Sequence, residues 1–433
     1  METPNTGLGS CSIVNTYRAL PDDRIEEFRE ITSDAFAPQH GPGVPDPSGR
    51  PELGGHRGVF QGDDLVAVCQ QYYLPARVRG EWHDAGLLSA VATPPEHRRR
   101  GYARTLLTGS LDEYHDRGVT ISLLWPFDYG FYGRYGWGRT NEYVTVEVPV
   151  EELPVDVDRS LGSFEGIEPD EGPRLDPAYQ THAERYALSI DRTADWWERQ
   201  ILWSHEYTPY TYAYVRDGEV RGYVVYRIEQ TGDSRDDRTL TVREIAWDHF
   251  EVYRRLLAFV RDHDAQVTTV RLQLPVDTPV FDLVSDPTTI EYRVHPGPMA
   301  RIVDVVTALD GLPSNEAAGT ITLRVEDSLA DWNDETFTVD ATGGLVSCTT
   351  DSDDATANTS DSDDATANTS DSDDATRERS DATVDIRTLS RLYVGSITAT
   401  EARSLGLLDG SATAVQFLDT LFPEQSVYLR DPF

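Results

Sequence analysis

Three consecutive patterns between residues 87 and 117 constrain the fold more than any other part of the sequence. Residues 87–93 are mostly apolar, as is typical of a strand buried on both faces. Two prolines and an arginine-rich loop follow, and a helix is predicted from Gly101 to about Arg117, where Gly118 ends it. A buried strand that leads into a helix predicts an α/β domain in which helices cover a mixed sheet.

The loop between this strand and this helix has the composition of an anion-binding site. It reads Arg98-Arg99-Arg100-Gly101-Tyr102-Ala103-Arg104. The first N–H groups of a helix have no partner within the helix, and together with the helix dipole they attract an anion. Gly101 lets the backbone approach a bulky ligand, and the arginines add positive charge. The loop predicts a pyrophosphate site, although arginines clustered in an acidic protein also form surface salt bridges.

The charge balance excludes several classes of partner. The chain has 75 acidic residues against 38 basic ones, and all 38 are arginine. A surface this acidic repels nucleic acids and anionic membranes, which are bound mainly through Lys and Arg. We therefore expect no nucleic-acid partner and no membrane partner. The same balance resembles proteins of salt-loving archaea, because molar salt shortens the Debye length to ~3 Å and makes self-repulsion tolerable.

Two absences in the sequence bear on location and on cysteine chemistry. No apolar stretch approaches the ~20 residues that cross a bilayer, and residues 1–12 lack the basic and apolar regions of a signal peptide. We expect a soluble, cytoplasmic protein. Cys11, Cys69 and Cys348 lie far apart without metal-type spacing, so we expect inert thiols, no disulfide framework and no metal site.

The length of the chain indicates several domains. At 433 residues it is too long for one hydrophobic core, so two or three domains are expected. The predicted order over residues 1–150 is strand, helix, hairpin strands, strand, helix and strand, which gives a mixed sheet. Helical and strand patterns alternate in the same way over residues 151–295. Residues 296–433 then form a third domain.

The third domain contains a segment that does not have the composition of a folded region. Residues 351–376 repeat the decapeptide DSDDATANTS, which is rich in aspartate and has no large apolar side chain. Such a segment cannot bury enough surface to offset the entropy of ordering, so it is predicted to be a disordered insert. Beyond the insert, residues 384–389 predict a strand, and residues 388–394 and 411–421 predict helices.

Two motifs resemble those of GNAT N-acetyltransferases. The spacing Arg98-x-x-Gly101-x-Ala103 resembles their acyl-CoA signature, in which Gln or Arg is followed by Gly three residues on and by Gly or Ala five residues on. The run Phe131-Tyr132-Gly133-Arg134-Tyr135-Gly136-Trp137-Gly138 looks like the "YGRFGYG" element of the Eis (enhanced intracellular survival) family. On these motifs the chain is identified as a member of the Eis-like GNAT family, over most of its length apart from the acidic repeat.

The resemblance implies an architecture. The fold would be α/β (α+β), with tandem GNAT-like mixed-sheet domains at residues 1–150 and 151–295 and a sterol-carrier-protein-like domain at residues 296–433. Only the first domain would be catalytic. Residues 389–395 and 418–423 look like closing elements of the last domain. Because the family forms rings of six, a homohexamer is expected.

The resemblance also assigns catalytic roles. The first tyrosine of the aromatic motif is the family's general acid, and it maps to Tyr132; Tyr129 and Tyr135, three residues to either side, are rival candidates. Family members end in an aromatic residue whose free α-carboxylate acts as general base. This chain ends at Phe433, after Pro432. An α-carboxyl group has a reference pKa of ~3.3–3.7, so it is ionised at neutral pH.

Acetyl-CoA is the implied co-substrate. The backbone of Val91, Ala92 and Thr93 would hold the pantetheine arm and stabilise the developing oxyanion. The pyrophosphate would be bound by the loop and the first turn of the helix, which comprise Arg99, Arg100, Gly101, Tyr102, Ala103 and Arg104. Part of the coenzyme would lie beside Phe127 and Asp128, where the family usually has Ser-Glu.

The implied acceptor is an amine. Eis-like enzymes accept aminoglycosides, other polyamines and protein lysines, so a small polycation or a lysine side chain is expected. Acidic residues around the first helix would attract it or would form a solvated face, and these are Asp22, Asp23, Glu26 and Glu27. Two other functions stay open, namely a non-catalytic acyl-CoA-binding sensor or scaffold, and a lipid carrier that works through the C-terminal domain.

Overall fold

The computed structural model describes residues 15–41, 53–154, 158–204, 207–232, 237–350 and 380–433. The chain divides into two compact units, one of Met1–Tyr72 and Leu88–Asp116, the other of Tyr73–Leu87 and Arg117–Phe433. The acidic repeat and Cys11 lie outside the described residues, so what the sequence predicts for them stays a prediction. Across the described ranges, no helix is long and apolar enough to cross a bilayer.

The first unit is a sheet with two helices. Its elements in chain order are β1 (Asn15–Ala19), α1 (Ile25–Phe36), β2 (Gly55–Gln61), the first part of β3 (Asp64–Val78), the end of β4 (Glu81–Ala92) and α2 (Tyr102–Asp116). β1, β2 and β3 pair antiparallel in that order, and β2 with β3 forms the hairpin that the sequence predicts. The helix expected after the arginine-rich loop is α2.

Apolar spacing explains how both helices attach to this sheet. Ile25, Phe28 and Ile31 recur on one face of α1, and Phe28 is buried against Phe60 of β2. α2 packs on β1 and β2. Close approach there depends on Gly109, because a Cβ atom at this position would lie 2.4 Å from Cγ of Tyr17.

A polar cluster under α2 fixes this helix on the sheet. Arg57 donates to both oxygens of Glu113, over 2.7 and 2.6 Å. The Tyr17 hydroxyl donates to the same carboxylate over 2.9 Å and accepts from Nε2 of Gln71 over 3.0 Å. Burial raises the pKa of Tyr17 far above its ordinary value. Gln71 is buried and the other three side chains are half-buried, and their hydrogen bonds satisfy one another, as polar side chains removed from water require.

The second unit contains the remaining elements. Its strands are β5 (Ile121–Leu124), β6 (Gly138–Arg139), β7 (Glu142–Pro149), β8 (Ser163–Gly166), β9 (Tyr210–Arg216), β10 (Glu219–Gln230), β11 (Arg238–Trp247), β12 (Thr269–Pro275), β13 (Glu291–Pro296), β14 (Met299–Ile302), β15 (Thr320–Glu326), β16 (Thr336–Asp340), β17 (Ser347–Thr350), β18 (Ala382–Asp385) and β19 (Leu408–Gly410). Its helices are α3 (Tyr129–Gly133), α4 (Asp176–Ala183), α5 (Ala194–Trp196), α6 (Phe250–Arg261), α7 (Val305–Leu309), α8 (Ile386–Val394), α9 (Ala399–Ser404) and α10 (Ala412–Leu421).

Three groups of strands organise this unit. A seven-stranded sheet has the order β13-β7-β12-β11-β10-β9-β8, and a five-stranded sheet has the order β17-β16-β15-β18-β19. In the third group β14 pairs antiparallel with β5 on one side and with β6 on the other. α6 connects the parallel strands β11 and β12, as a crossover helix does in a mixed sheet.

The sheets exchange strands across the boundaries expected from the sequence. β7 precedes residue 150, yet it pairs with β12 and β13 of the seven-stranded sheet. β14 follows residue 295, yet it pairs with β5 and β6. The boundaries at 150 and 295 therefore stay predictions, because the sheets do not follow the order of the chain.

The strand expected at residues 384–389 is too long. β18 ends at Asp385, and α8 begins at Ile386. Oδ1 of Asp385 accepts a hydrogen bond from the backbone N–H of Thr388 over 2.7 Å, which is the geometry of a helix N-cap. The apolar residues that follow belong to the buried face of a helix rather than to a strand.

Candidate active site

The arginine-rich loop of the first unit has the backbone geometry of an anion site. Arg99 and Gly101 both adopt left-handed conformations, with φ of 62° and 86°, directly before α2. Turns of this kind direct successive N–H groups towards one point. A Cβ atom added at Gly101 would meet nothing within 4 Å, so the space above it is open. The loop thus presents backbone donors at a helix N-terminus, where the first N–H groups have no partner within the helix.

The side chains around this loop fit the same interpretation. Arg99, Arg100 and Arg104 are exposed, and no carboxylate among the described residues pairs with them. The alternative of surface salt bridges is therefore not supported for these three. Tyr102 is buried and Ala103 is half-buried, so they anchor the first turn of the helix. Nε of Arg98 donates to the carbonyl of Thr93 over 3.0 Å and ties the loop to the end of β4.

The end of β4 is locally distorted. Ala90 has a φ of 51°, which is the left-handed region that a residue with a Cβ atom rarely adopts and that costs about 1 kcal/mol. Val91 and Thr93 are half-buried, and Ala92 is buried. A left-handed residue bends the strand locally, because regular β-structure requires a negative φ. The predicted pantetheine-binding residues follow this kink directly.

The aromatic motif of the second unit forms the short helix α3. Oδ1 of Asp128 accepts from the backbone N–H of Phe131 over 2.8 Å and caps this helix. Tyr132 is only 3 % exposed. Its ring packs edge-on against Phe131 and Phe127, with centroid separations of 5.1 and 5.3 Å. Asp128 thus has a structural role that the sequence did not predict, while Phe127 is largely exposed.

The two rival tyrosines are held differently from Tyr132. The hydroxyl of Tyr129 donates to the carbonyl of Gly297 over 2.8 Å, and burial raises the pKa of Tyr129 above its ordinary value. Tyr135 packs its ring against Phe131, with a centroid separation of 5.3 Å. The hydrogen bond of Tyr129 to a backbone carbonyl gives that residue a structural role.

The C-terminal segment is bound along its length rather than frayed. Val427 pairs in parallel with Ala187, and the N–H of Tyr428 donates to the carbonyl of Ala187 over 3.1 Å. The N–H of Leu429 donates to Oδ1 of Asn141 over 2.7 Å. Asn141 is itself only 1 % exposed. These bonds fix the backbone up to a few residues before the terminus.

A buried ion-pair network holds the next part of the tail. Arg192 donates from Nε and Nη2 to the two oxygens of Asp431, over 2.8 and 3.0 Å, and from Nη1 to Glu244 over 2.6 Å. Nε1 of Trp196 also donates to Asp431, over 2.8 Å. Burial alone would lower the pKa of Arg192, but the carboxylates of Asp431 and Glu244 outweigh it and raise the pKa. Two-point pairing of this type is strong and directional.

No local pattern in the sequence indicates this network. Arg192, Glu244 and Asp431 are more than fifty residues apart along the chain, and no motif connects them. The available signal was a carboxylate two residues before an aromatic terminus, between Arg430 and Pro432. We name Arg192, Glu244 and Asp431 the tail clamp.

Metal and thiol chemistry receive no support from the described residues. Within the described ranges, no group of three or more His, Cys, Asp or Glu side chains could hold a metal ion. Cys69 and Cys348 are both free and buried. Burial raises the pKa of each thiol to about 12.

Comparison with known families accounts for most of the chain. Residues 16–140 and residues 188–302 each match an acetyltransferase (GNAT) domain, and residues 305–430 match a sterol carrier protein domain. The chain is a GNAT N-acetyltransferase. The predicted architecture of two GNAT domains and a sterol-carrier-like domain is therefore confirmed.

Several relatives of this chain are described as N-acetyltransferases. An uncharacterized N-acetyltransferase of Streptomyces avermitilis is 23% identical over 303 residues, which is 67% of this chain and 73% of the relative. One of Streptomyces griseus is 25% identical over 318 residues, covering 69% of this chain and 75% of the relative. The N-acetyltransferase Eis of Mycobacterium tuberculosis is 26% identical over 218 residues, which is 46% of this chain and 52% of the relative. The Eis-like resemblance is thus supported by distant relatives.

Solved structures agree on the fold. A GCN5-related N-acetyltransferase from Anabaena variabilis superposes with a TM-score of 0.77 at 19% identity and covers 97% of this chain and 100% of its own. Eis1 from Mycobacterium abscessus superposes with a TM-score of 0.73 at 22% identity, and the match covers 97% of this chain and 100% of Eis1. At this level of identity the likeness establishes the fold of the acetyltransferase.

Proposed function

We propose that the acetyltransferase moves an acetyl group from acetyl-CoA to a primary amine by direct attack on the thioester. The lone pair of the amine forms the new N–C bond, the C–S bond breaks, and coenzyme A leaves as a thiolate. One proton leaves the amine nitrogen and one proton reaches the sulfur, so the step is balanced by one base and one acid. No covalent intermediate with the protein is needed.

The arginine-rich loop would hold the donor. Its N–H groups at the helix N-terminus and the left-handed backbone at Arg99 and Gly101 suit a diphosphate. So do the guanidinium groups of Arg99, Arg100 and Arg104, which pair with no carboxylate among the described residues. The backbone of Val91, Ala92 and Thr93 would bind the pantetheine arm and the thioester oxygen. Phe127, which is exposed beside the tyrosine motif, would contact the coenzyme. Asp128 would contribute through the helix that it caps rather than as a free side chain.

Tyr132 would supply the proton for the sulfur. It lies on a capped helix, and its ring is enclosed by Phe127, Phe131 and Trp137. An enclosed ring holds its hydroxyl in one direction, which general acid catalysis requires.

The single observation that carries the base assignment is the fixed C-terminal tail. In the tail clamp Arg192 binds Asp431 two residues before the terminus, and Phe433 is half-buried. A free α-carboxylate is normally mobile, so immobilising the preceding residues favours a role for it. The Phe433 carboxylate would accept the amine proton.

The acceptor would be a small polycation or a lysine side chain. Of the acidic residues proposed to attract it, Glu26 pairs with Arg29 over 2.6 Å and Glu27 pairs with Arg24 over 2.5 Å. These local pairs favour a solvated helix face for both glutamates. Asp22 and Asp23, which are exposed, are the better candidates to attract a cation.

Calorimetry and a thiol-release assay test this function together. Folded protein in molar salt is titrated with acetyl-CoA, with free coenzyme A and with a fatty acid, and then assayed against aminoglycosides, polyamines and a lysine peptide. We expect heat of binding with both coenzymes and thiol release with at least one amine. Binding without turnover would support a sensor, and heat with the fatty acid alone would support a lipid carrier. Replacing Arg99, Arg100 and Arg104 by Gln is expected to abolish coenzyme binding.

The proposed assembly rests on the family resemblance, the proposed location on the lack of a membrane-spanning or signal-like stretch in the sequence, and the proposed habitat on the charge balance. We propose a cytoplasmic homohexamer that works at high salt. Sedimentation velocity in 0.1 M and molar salt tests the assembly, and a species smaller than a hexamer at every protein concentration would contradict it.

A further inference from the structure

Arg301 is a charged residue in the apolar interior beside the tyrosine motif. It lies on β14, opposite Ser122 of β5, and none of its surface is exposed. A buried guanidinium is costly to desolvate, so its partners determine whether it can be accommodated. The residue lies outside residues 16–140, the range that matches the first GNAT domain.

Two separate nitrogens of Arg301 bind two different parts of the chain. Nη1 donates to the backbone carbonyl of Tyr135 over 2.5 Å, and Nη2 donates to Oδ2 of Asp327 over 2.5 Å. The guanidinium carbon also lies 5.4 Å from the ring centroid of Trp137. Arg301 therefore joins the turn that follows Tyr132 to a carboxylate almost two hundred residues further along the chain.

Asp327 is a fixed anchor for this contact. Its Oδ1 accepts from the N–H groups of Leu329 and Ala330, over 3.0 and 3.3 Å. Its Oδ2 also accepts from Nδ2 of Asn333 over 3.2 Å. Asp327 lies within residues 305–430, which match the sterol carrier protein domain. Bonds within its own domain thus hold the carboxylate in place independently of Arg301.

The turn after Tyr132 is shaped around this guanidinium. The N–H groups of Tyr135 and Trp137 both donate to the carbonyl of Tyr132, over 2.9 and 3.3 Å. Gly136, which lies between them, has a φ of 91°, and a Cβ atom there would lie 1.6 Å from Nη1 of Arg301. Only glycine fits at this position. The residues that bind the carbonyl of Tyr132 are therefore the residues that contact Arg301.

We propose that Arg301 and Asp327 are positioning residues for Tyr132, and that the sterol-carrier-like domain contributes to acetyl transfer by holding the turn that bears the general acid. This inference rests on the proposed function, because it acts through Tyr132. A shift of about 1 Å in a reacting group lowers the rate by about 100-fold. Loosening the turn should therefore reduce kcat without weakening the binding of acetyl-CoA.

Steady-state kinetics of the full-length protein test this role. We expect Arg301→Gln to lower kcat by about 10- to 100-fold while KM for acetyl-CoA changes less than about twofold. Asp327→Asn keeps an oxygen that can accept from Arg301, so a smaller loss is expected. Arg261→Gln is the control for the loss of a guanidinium that binds backbone, since Arg261 donates to the carbonyls of Glu151 and Leu153 away from the tyrosine motif, and it should leave kcat unchanged.

A double-variant cycle separates positioning from general destabilisation. In a Tyr132→Phe background, Arg301→Gln should cause no further loss of kcat, because the group that it positions is absent. A purely structural role would lower kcat equally in both backgrounds and would overturn the inference. Wild-type kcat in Arg301→Gln and Asp327→Asn, with Tyr132→Phe impaired, would also overturn it.

The kcat of the single variant Tyr132→Phe tests the proposed function separately from the role of Arg301. Wild-type kcat in Tyr132→Phe would contradict the proposed function rather than the contacts of Arg301. If Arg301→Gln does not fold, Asp327→Asn replaces it in the cycle with Tyr132→Phe. A loss of kcat only when Tyr132 is present would support the inference, and an equal loss in both backgrounds would overturn it.

Discussion

Trp125 donates its indole N–H to the backbone carbonyl of Asp431 over 2.9 Å. Trp125 follows β5 directly and precedes Phe127, whose ring contacts Tyr132. Arg192 of the tail clamp binds the side chain of Asp431, so both the backbone and the carboxylate of Asp431 are fixed. The last residues of the chain are therefore bound to the end of β5, and the short helix that carries the proposed general acid Tyr132 follows β5 in the chain.

Replacing Tyr132 by Phe removes only the hydroxyl. If this group protonates the leaving thiolate, kcat should fall by about 10²- to 10⁴-fold while KM for acetyl-CoA changes little. Tyr129→Phe is the control, because the Tyr129 hydroxyl donates to Gly297 and its loss should lower stability by about 1 kcal/mol without a comparable loss of kcat. A larger loss of kcat in Tyr129→Phe would reassign the acid.

Changes at the C-terminus distinguish the carboxylate of Phe433 from its ring. Phe433→Ala keeps a terminal carboxylate and should retain much of the activity. One glycine added after Phe433 moves the carboxylate beyond the position that the tail clamp sets, so kcat should fall by at least about 100-fold. Thiol release by the three proteins measures this. Equal activity in the extended and natural proteins would exclude the terminal carboxylate as base.

The tail clamp should make stability depend on acid pH. Burial alone would raise the pKa of Glu244, but the guanidinium groups of Arg192 and Arg430 outweigh it and lower the pKa from 4.5 to about 2. The stabilisation is fully present above about pH 4.5 and is lost as the pH falls through 2, and it amounts to roughly 3 kcal/mol.

Melting temperatures measured between pH 5 and pH 2 test this dependence. Glu244→Gln should be less stable at pH 7 and should lose less stability across that interval than the natural protein. Parallel curves for the two proteins would show that Glu244 does not titrate in the predicted range.

The parts of the site that could be predicted from sequence are those with local spacing. Residues 99–104 are consecutive, and Tyr132 lies in a motif of eight residues. The residues of each motif are therefore close in space because they are close in sequence. Asp431 and Arg192 are 239 residues apart, and no periodicity indicates their contact. β7 and β14 likewise pair outside the predicted boundaries, because strand exchange depends on the tertiary packing of the sheets.

Buried thiols should not interfere with a thiol-release assay. Only a thiolate reacts readily, and burial raises the pKa of Cys69 and Cys348 to about 12. We expect neither residue to be alkylated by iodoacetamide at pH 8 in the folded protein, and both to be alkylated in guanidinium chloride. Peptide mass spectrometry reads the two sites separately. Alkylation of either within minutes in the folded state would contradict the buried positions.

Gly101 offers a test of the coenzyme site with a well-matched control. Gly101 and Gly118 both have positive φ, of 86° and 70°, and a Cβ atom at either would meet nothing within 4 Å. Alanine at each position should therefore cost a similar amount of stability, about 1 kcal/mol of backbone strain. Only Gly101 lies in the proposed diphosphate loop, where an added methyl group would occupy the space that the ligand needs. Calorimetry should show acetyl-CoA binding weakened at least tenfold in Gly101→Ala and unchanged in Gly118→Ala, and equal affinities in the two variants would place the diphosphate elsewhere.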